Sequence, residues 1–144
     1  MHLVRSFEQS DVAQVGFGIR ALLVTGLDQD NLIKRRLAGL GSLVEMTDDL
    51  YMGLESVLND PAGYGLLVID CDAVGGLDAG RRGFALLGET SRRMPVILVS
   101  SECSGQQFPQ ERSAPVVLRA PVSMVSMRVG FEHALRDRLA FGMI

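Results

Sequence analysis

The feature that most restricts the fold is an unbroken apolar run, 66–69, which ends in the carboxylate of Asp70. A strand that is apolar at every position has no polar face, so we expect it to be buried on both faces in the middle of a parallel sheet. A second run of this kind, 96–99, ends in Ser100. Because parallel strands need crossover connections, usually helices, these two runs predict an α/β fold.

Strand patterns and helix patterns alternate along most of the chain. The predicted strands are 21–25, 42–46, 65–70, 94–100 and 116–118, and the predicted helices are 31–38, 50–58, 79–87 and a last one capped by Ser123. With right-handed crossovers, this order predicts a doubly wound, five-stranded parallel sheet of the flavodoxin-like type, with strand order 2-1-3-4-5.

Two parts of the pattern are less regular. Asp28 and Asp30 stand in front of the first helix and are candidates for its N-cap. The segment 102–114, where a helix belongs between the last two strands, contains Gly105 and Pro109 and has little apolar periodicity. We expect that helix to be short or irregular.

Composition restricts the class of protein. The 144 residues have room for one domain, which we divide into an N-terminal extension, 1–19, and a domain, 20–144. No apolar run approaches the roughly 18 residues of a membrane span, so we expect no membrane partner. The net charge of -3 argues against a nucleic-acid partner. The start of the chain has no apolar signal block, so we expect a cytoplasmic protein.

In a sheet of this type the functional site lies outside the carboxyl ends of the strands. The ends predicted here resemble those of the receiver domain of bacterial two-component response regulators, the CheY-like family, over roughly residues 20–138. The run 66–69 followed by Asp70 is similar to the family's strand that ends in the phosphoacceptor aspartate. The segment 95–101 is similar to its strand that ends in a Ser or Thr followed by a small residue. The resemblance implies that Asp70 is equivalent to the phosphoacceptor and Ser100 to the switch residue.

Other positions depart from the family pattern. Thr25 and Gly26 replace the family's acidic pair after the first strand, Ala120 replaces its lysine, and Val117 replaces its aromatic residue in the fifth strand. In the family, the acidic pair helps to hold Mg²⁺, and the metal and the lysine neutralise the phosphoryl oxygens. The departures therefore imply a degenerate receiver that has lost most of the phosphorylation machinery.

These observations predict a stand-alone pseudo-receiver in bacterial signal transduction. We expect it to be non-enzymatic, to need no cofactor, and to bind a sensor kinase or an output regulator without aspartyl phosphorylation. A homodimer is a further expectation, because the apolar segment 141–144 is unusual for a free terminus.

Three alternatives stay open at this point. In the first, Asp28, Asp70 and Asp72 rebuild an acidic Mg²⁺ site and Asp70 accepts a phosphoryl group. In the second, the chain is a small-molecule-binding flavodoxin-like protein or an enzyme. In the third, Cys71 and Cys103, which follow neighbouring strands, form a redox pair.

Overall fold

The computed structural model describes residues 17–28, 30–111 and 113–136. Its strands are β1 (Arg20–Val24), β2 (Leu43–Thr47), β3 (Leu66–Asp70), β4 (Val96–Ser100) and β5 (Val116–Arg119). Its helices are α1 (Leu32–Gly39), α2 (Leu50–Asn59), α3 (Cys71–Val74), α4 (Leu77–Ala85) and α5 (Met124–Ala134), with a 3-10 helix, Gly88–Arg92, after α4. Each predicted strand is present, with small shifts in its bounds.

The five strands form one parallel sheet in the order β2-β1-β3-β4-β5. Val24 at the end of β1 lies opposite Ile69 of β3, and Asp70 lies opposite Val99 of β4. The carboxyl ends of the central strands are therefore side by side. The predicted α/β, flavodoxin-like topology is confirmed, and its strand order reverses between β1 and β3.

Two apolar layers cover the sheet. Helices α1 and α5 pack on one face, where Phe131 is fully buried, and α2 and α4 cover the other face, where Leu54 is buried. Residues 66–69 of β3 alternate between the two layers, and all four are fully buried. The continuous apolar run is therefore explained by burial on both faces of the sheet.

The N-cap of α1 differs from the prediction. The cap is neither Asp28 nor Asp30 but Asn31, whose Oδ1 accepts a hydrogen bond from the backbone N of Lys34 at 3.0 Å. Asp30 instead pairs with Arg35 at 3.1 Å. Asn31 directly precedes the first helical residue, the position from which a short side chain reaches the amide groups of the first turn.

Strand β3 leads straight into a short helix that the sequence pattern does not predict. Helix α3 ends at Gly75, which has a φ of 114°, and Gly76 follows with a φ of 112°. These values lie in the region that side chains with a Cβ rarely adopt, so two glycines are needed for the turn into α4. Helix α4 then begins at Leu77, ahead of the predicted start at residue 79.

The described part of the connection between β4 and β5 contains no helix, in line with the irregular segment expected at 102–114. Gln107 instead pairs with Val117 of β5 through two backbone hydrogen bonds of 2.8 and 3.0 Å. From the other side, His133 of α5 places Nε2 at 2.5 Å from the carbonyl oxygen of Pro109. We call residues 106–110 the strap, because they are tied to both β5 and α5.

Two predictions fall on residues that the structure does not describe. The extension at 1–19 lies outside the described ranges up to residue 16, and the apolar tail at 141–144 lies wholly outside them. Ile19, assigned to the extension, is buried in the core, so the folded domain starts before residue 20. Within the described ranges, no helix is both long enough and apolar enough to span a bilayer.

Gly80 of α4 lies directly against Cys71, and a Cβ built at position 80 would be only 2.3 Å from Cys71 Sγ. We expect Gly80→Ala to lower the free energy of unfolding by about 1–3 kcal/mol, because overpacking a filled core is costly. The 2.3 Å approach puts the cost at the upper end of that range, above the gain of about 1 kcal/mol in helix propensity. Urea unfolding followed by circular dichroism measures the change.

Gly105→Ala is the matched control, because nothing lies within 4 Å of a Cβ built there. Its stability should stay within about 0.5 kcal/mol of the wild type. In a Cys71→Ala background, Gly80→Ala should cost less, because the clashing sulfur is gone. An equal loss in both backgrounds would contradict this contact.

Candidate functional site at the strand ends

The carboxyl ends of four strands bring together residues that the sequence predicts for the site. Thr25 follows β1, β3 ends at Asp70, β4 ends at Ser100, and Ala120 follows β5. Thr25 Oγ1 donates to Asp70 Oδ2 at 2.7 Å, and the backbone N of Ala120 donates to the carbonyl oxygen of Ser100 at 3.1 Å. These four residues, which we call the strand-end row, lie along one edge of the sheet.

Thr25 is the best-connected member of the row, and only 1% of it is exposed. Its hydroxyl accepts a hydrogen bond from Asn31 Nδ2 at 3.0 Å and donates to Asp70. Because a hydroxyl has one hydrogen, the contact with Asn31 orients that hydrogen toward Asp70. One carboxylate oxygen of Asp70 is thereby engaged from within the chain.

Two more carboxylates connect the loops that follow β3 and β4. Both oxygens of Asp72 accept from the backbone N of Ser101, at 3.1 and 3.2 Å. In the opposite direction, Glu102 accepts from the backbone N of Leu77 at 2.8 Å. Glu102 lies over Gly76, where a Cβ would come within 2.5 Å of Glu102 Oε1. We call these two reciprocal contacts the carboxylate clamp.

Asp28, Asp70 and Asp72, proposed as metal ligands, are not grouped as a ligand set. In the described ranges, no three carboxylate, imidazole or thiol side chains are placed to hold one metal ion. The carboxylate of Asp72 faces Ser101, and Asp28 belongs to the loop between β1 and α1. This arrangement offers no support for a Mg²⁺ site made from the three aspartates.

The remaining predicted positions lie in or beside the core. Ser100 is fully buried, and its Oγ accepts from the backbone N of Glu102 at 3.0 Å. Val117 is also fully buried, and half-buried Ala120 packs against the α1 and α5 layer. Gly26, after Thr25, has no side chain to contribute. None of these four positions therefore contributes a charged side chain to the site.

Cys71 and Cys103, considered as a redox pair, are both free and buried. Burial, followed by the negative charges of Asp70 and Asp72, raises the pKa of Cys71 to about 12. The thiolate is the form that attacks disulfides and electrophiles. Cys71 is therefore held in its unreactive thiol form at neutral pH.

Asn31 and Glu102 belong to the site, but sequence reasoning did not single them out. Asn31 carries a recognisable signal, since Asn before the first residue of an apolar helical pattern is a favoured N-cap. Glu102 carries no such signal, because its partner Leu77 lies 25 residues away along the chain.

Comparisons with known proteins bear on the fold alone. No family model matches the chain, and no curated protein matches it. Solved structures do match, among them a fusion that contains the trimeric coiled coil of yeast Spc42, amino acids 181–211, joined to another structure. That match has 18% sequence identity and a TM-score of 0.56, and it covers 89% of this chain and 82% of the other. At this identity, the likeness indicates a shared fold and carries no function.

Replacing Thr25 by Val tests the hydrogen bond at the centre of the row. Thr25→Val keeps the side-chain shape but leaves Asp70 and Asn31 without their shared partner. We expect the free energy of unfolding to fall by about 1–2 kcal/mol, because the polar groups left unpaired are half-buried. Urea unfolding measures it, with Thr25→Ser, which keeps the hydroxyl, as the control. No loss of stability in Thr25→Val would show that the hydroxyl contributes nothing.

The raised pKa of Cys71 can be measured through its reactivity. In a Cys103→Ala variant, Cys71 is the only thiol of the chain, and a pKa of about 12 leaves about one molecule in 10⁴ as thiolate at pH 8. We expect reaction with an aromatic disulfide to be about 10³-fold slower in the folded protein than in urea. The rate should also rise about tenfold per pH unit from pH 8 to 10. A folded-state rate that levels off near pH 9 would contradict the prediction.

Proposed function

We propose that the chain is a pseudo-receiver, a bacterial signalling or adaptor domain that works by binding other proteins. In this proposal it is not an enzyme, uses no cofactor, and acts in the cytoplasm without aspartyl phosphorylation. Its partner is a sensor kinase or an output regulator. The flavodoxin-like fold and the similarity of its β3 and β4 ends to receiver domains support the assignment.

The hydrogen bond from Thr25 to Asp70 is the observation that carries the proposal. A carboxylate that accepts a phosphoryl group needs positive charge around the phosphoryl oxygens. Here Asp70 Oδ2 accepts from the buried hydroxyl of Thr25, which stands where the resemblance would place an acidic metal ligand. Ala120 stands where the resemblance would place an ammonium group, so that charge is missing.

The carboxylate clamp supports the same conclusion from the electrostatic side. Donors at the mouth of the site would have to bind the oxygens of a phosphoryl group, yet the backbone N–H groups of Ser101 and Leu77 are already bound by Asp72 and Glu102. These carboxylates add negative charge close to Asp70. An anionic phosphate donor would be repelled by that charge.

A domain of this kind binds its partner with a surface that is already formed. Exposed apolar side chains lie on the strap and on the outer side of α5: Phe108 is 37% exposed, Val125 73% and Val129 47%. The strap is tied to β5 and α5, so Phe108 is presented from an ordered segment. These residues offer a contact surface for a protein partner or for a second copy of the chain.

Treatment with acetyl phosphate and Mg²⁺ tests the proposal. We expect no gain of one phosphoryl mass in the intact protein by mass spectrometry. We also expect no change in the ¹⁵N–¹H signals of residues 101–119. A mass gain that Asp70→Ala abolishes would instead establish the alternative, an active receiver with Asp70 as acceptor.

A triple variant provides the matched positive control. Thr25→Asp, Gly26→Asp and Ala120→Lys together rebuild the acidic pair and the lysine of the family pattern. If their loss explains the inactivity, this variant should gain the phosphoryl mass under the same conditions. Phosphorylation of wild type and triple variant to the same extent would contradict the proposed role of these positions.

A further inference from the structure

A cleft of about 310 Å³ opens beside the strand-end row without including any of its members. It lies between the start of α2 and the α3–α4 pair, and its lining consists of Asp48, Asp49, Leu50, Tyr51, Val74, Ala79 and Arg82. Volumes of about 300–1,000 Å³ are typical of small-molecule sites. The cleft lies at the lower end of that range, which restricts a ligand to a small molecule.

The position of the cleft in the fold is one where ligands are expected. Helix α2 follows β2, and helices α3 and α4 follow β3, while β1 lies between these two strands. The cleft is therefore at the carboxyl edge, next to the point between β1 and β3 where the strand order reverses. In doubly wound sheets, crevices at this point are the usual ligand sites.

Small residues on the helices keep the two walls of the cleft in place. A Cβ at Gly83 of α4 would lie 3.1 Å from both terminal carbons of Leu50, so Leu50 packs into the space that this glycine leaves. Gly53 similarly lets α2 approach Val24, since a Cβ there would be 2.8 Å from Val24 Cγ2. Ala79, also small, leaves room above α4. The apolar part of the lining is therefore fixed by packing.

The lining of the cleft contains charged residues of opposite sign. Among the residues that the structure describes, neither Asp48 of the α2 wall nor Arg82 of the α4 wall takes part in an ion pair. Asp49 differs, because its Oδ1 accepts from the backbone N of Met52 as the N-cap of α2. One carboxylate and one guanidinium thus have no ion-pair partner among the described residues, and half-buried Leu50 and Ala79 line the same cleft.

We propose that this cleft is a binding site for a small zwitterion, with a cationic and an anionic end joined by an apolar carbon chain. The cationic end would pair with Asp48. The anionic end would bind Arg82, whose guanidinium matches a carboxylate with two parallel hydrogen bonds. The carbon chain would pack on Leu50, Val74 and Ala79. This inference is independent of whether Asp70 accepts a phosphoryl group.

The test uses ε-aminocaproate, an amine and a carboxylate joined by five methylenes, as the probe for the full chain. Hexylamine and caproate each carry one of its two charges and are the half-ligand controls. In ¹⁵N–¹H titrations, we expect ε-aminocaproate to shift the signals of residues 48–51, 74, 79 and 82. Its Kd should be lower than that of either control by a factor of up to about five, the contribution of one further exposed ion pair.

Four variants separate the parts of the site. Arg82→Gln should weaken ε-aminocaproate binding to the level of hexylamine, and Asp48→Asn should weaken it to the level of caproate. Ala79→Leu keeps both charges but fills the apolar floor, so it should abolish the shifts. Arg81→Gln removes the neighbouring arginine, which does not line the cleft, and should leave binding unchanged. Circular dichroism confirms that each variant is folded.

Three outcomes would overturn the proposal. The first is the absence of shifts at the lining residues up to the solubility limit of ε-aminocaproate. The second is binding of a half-ligand as tight as that of the zwitterion, which would mean that one charge acts alone. The third is equal binding by the wild type, Arg82→Gln and Asp48→Asn, which would place the probe elsewhere on the protein.

Discussion

Burial of β3 and β4 on both faces of the sheet is the constraint on which the rest of the structure depends. Residues 66–69 and 96–99 contribute to both apolar layers, so neither strand offers a polar side chain along its length. Helices must cover both faces to keep water away from these strands. Polar groups are then confined to the ends of the strands. This confinement brings Asp70 and Ser100 to the same edge, where neighbouring chain segments satisfy them.

Most of the polar groups at this edge form hydrogen bonds with other parts of the chain. Thr25 binds Asp70, Asp72 binds the amide of Ser101, and Glu102 binds the amide at the start of α4. Each contact joins segments that lie far apart in sequence, so the loops after β1, β3 and β4 are held against one another. These contacts favour one arrangement of the three loops.

The same edge of the sheet also contains a cleft whose charged residues are not all paired within the described part of the chain. The cleft between α2 and α4 is lined by Asp48, by Arg82 and by apolar side chains, and neither charged residue is engaged in an ion pair within the described part of the chain. Charged groups without an ion-pair partner remain available to a ligand, whereas Asp72 and Glu102 of the carboxylate clamp already bind backbone amides. The two regions lie close together, yet the difference in pairing gives them different roles in our proposals.

The sequence alone determined the strands through their apolar pattern, because the period of apolar residues reports burial locally. With the rule of right-handed crossovers it also predicted the parallel order, and Gly105 and Pro109 indicated the irregular connection after β4. It also identified Ser123 as a helix cap, which accepts from the backbone N of Ser126 at 3.0 Å. The tertiary structure alone decided which side chains meet. Thr25 and Asp70 lie 45 residues apart, and Asp72 and Ser101 lie 29 apart. Such contacts depend on the directions of the side chains and on the paths of the loops after the strands have paired. A local sequence pattern predicts neither of these.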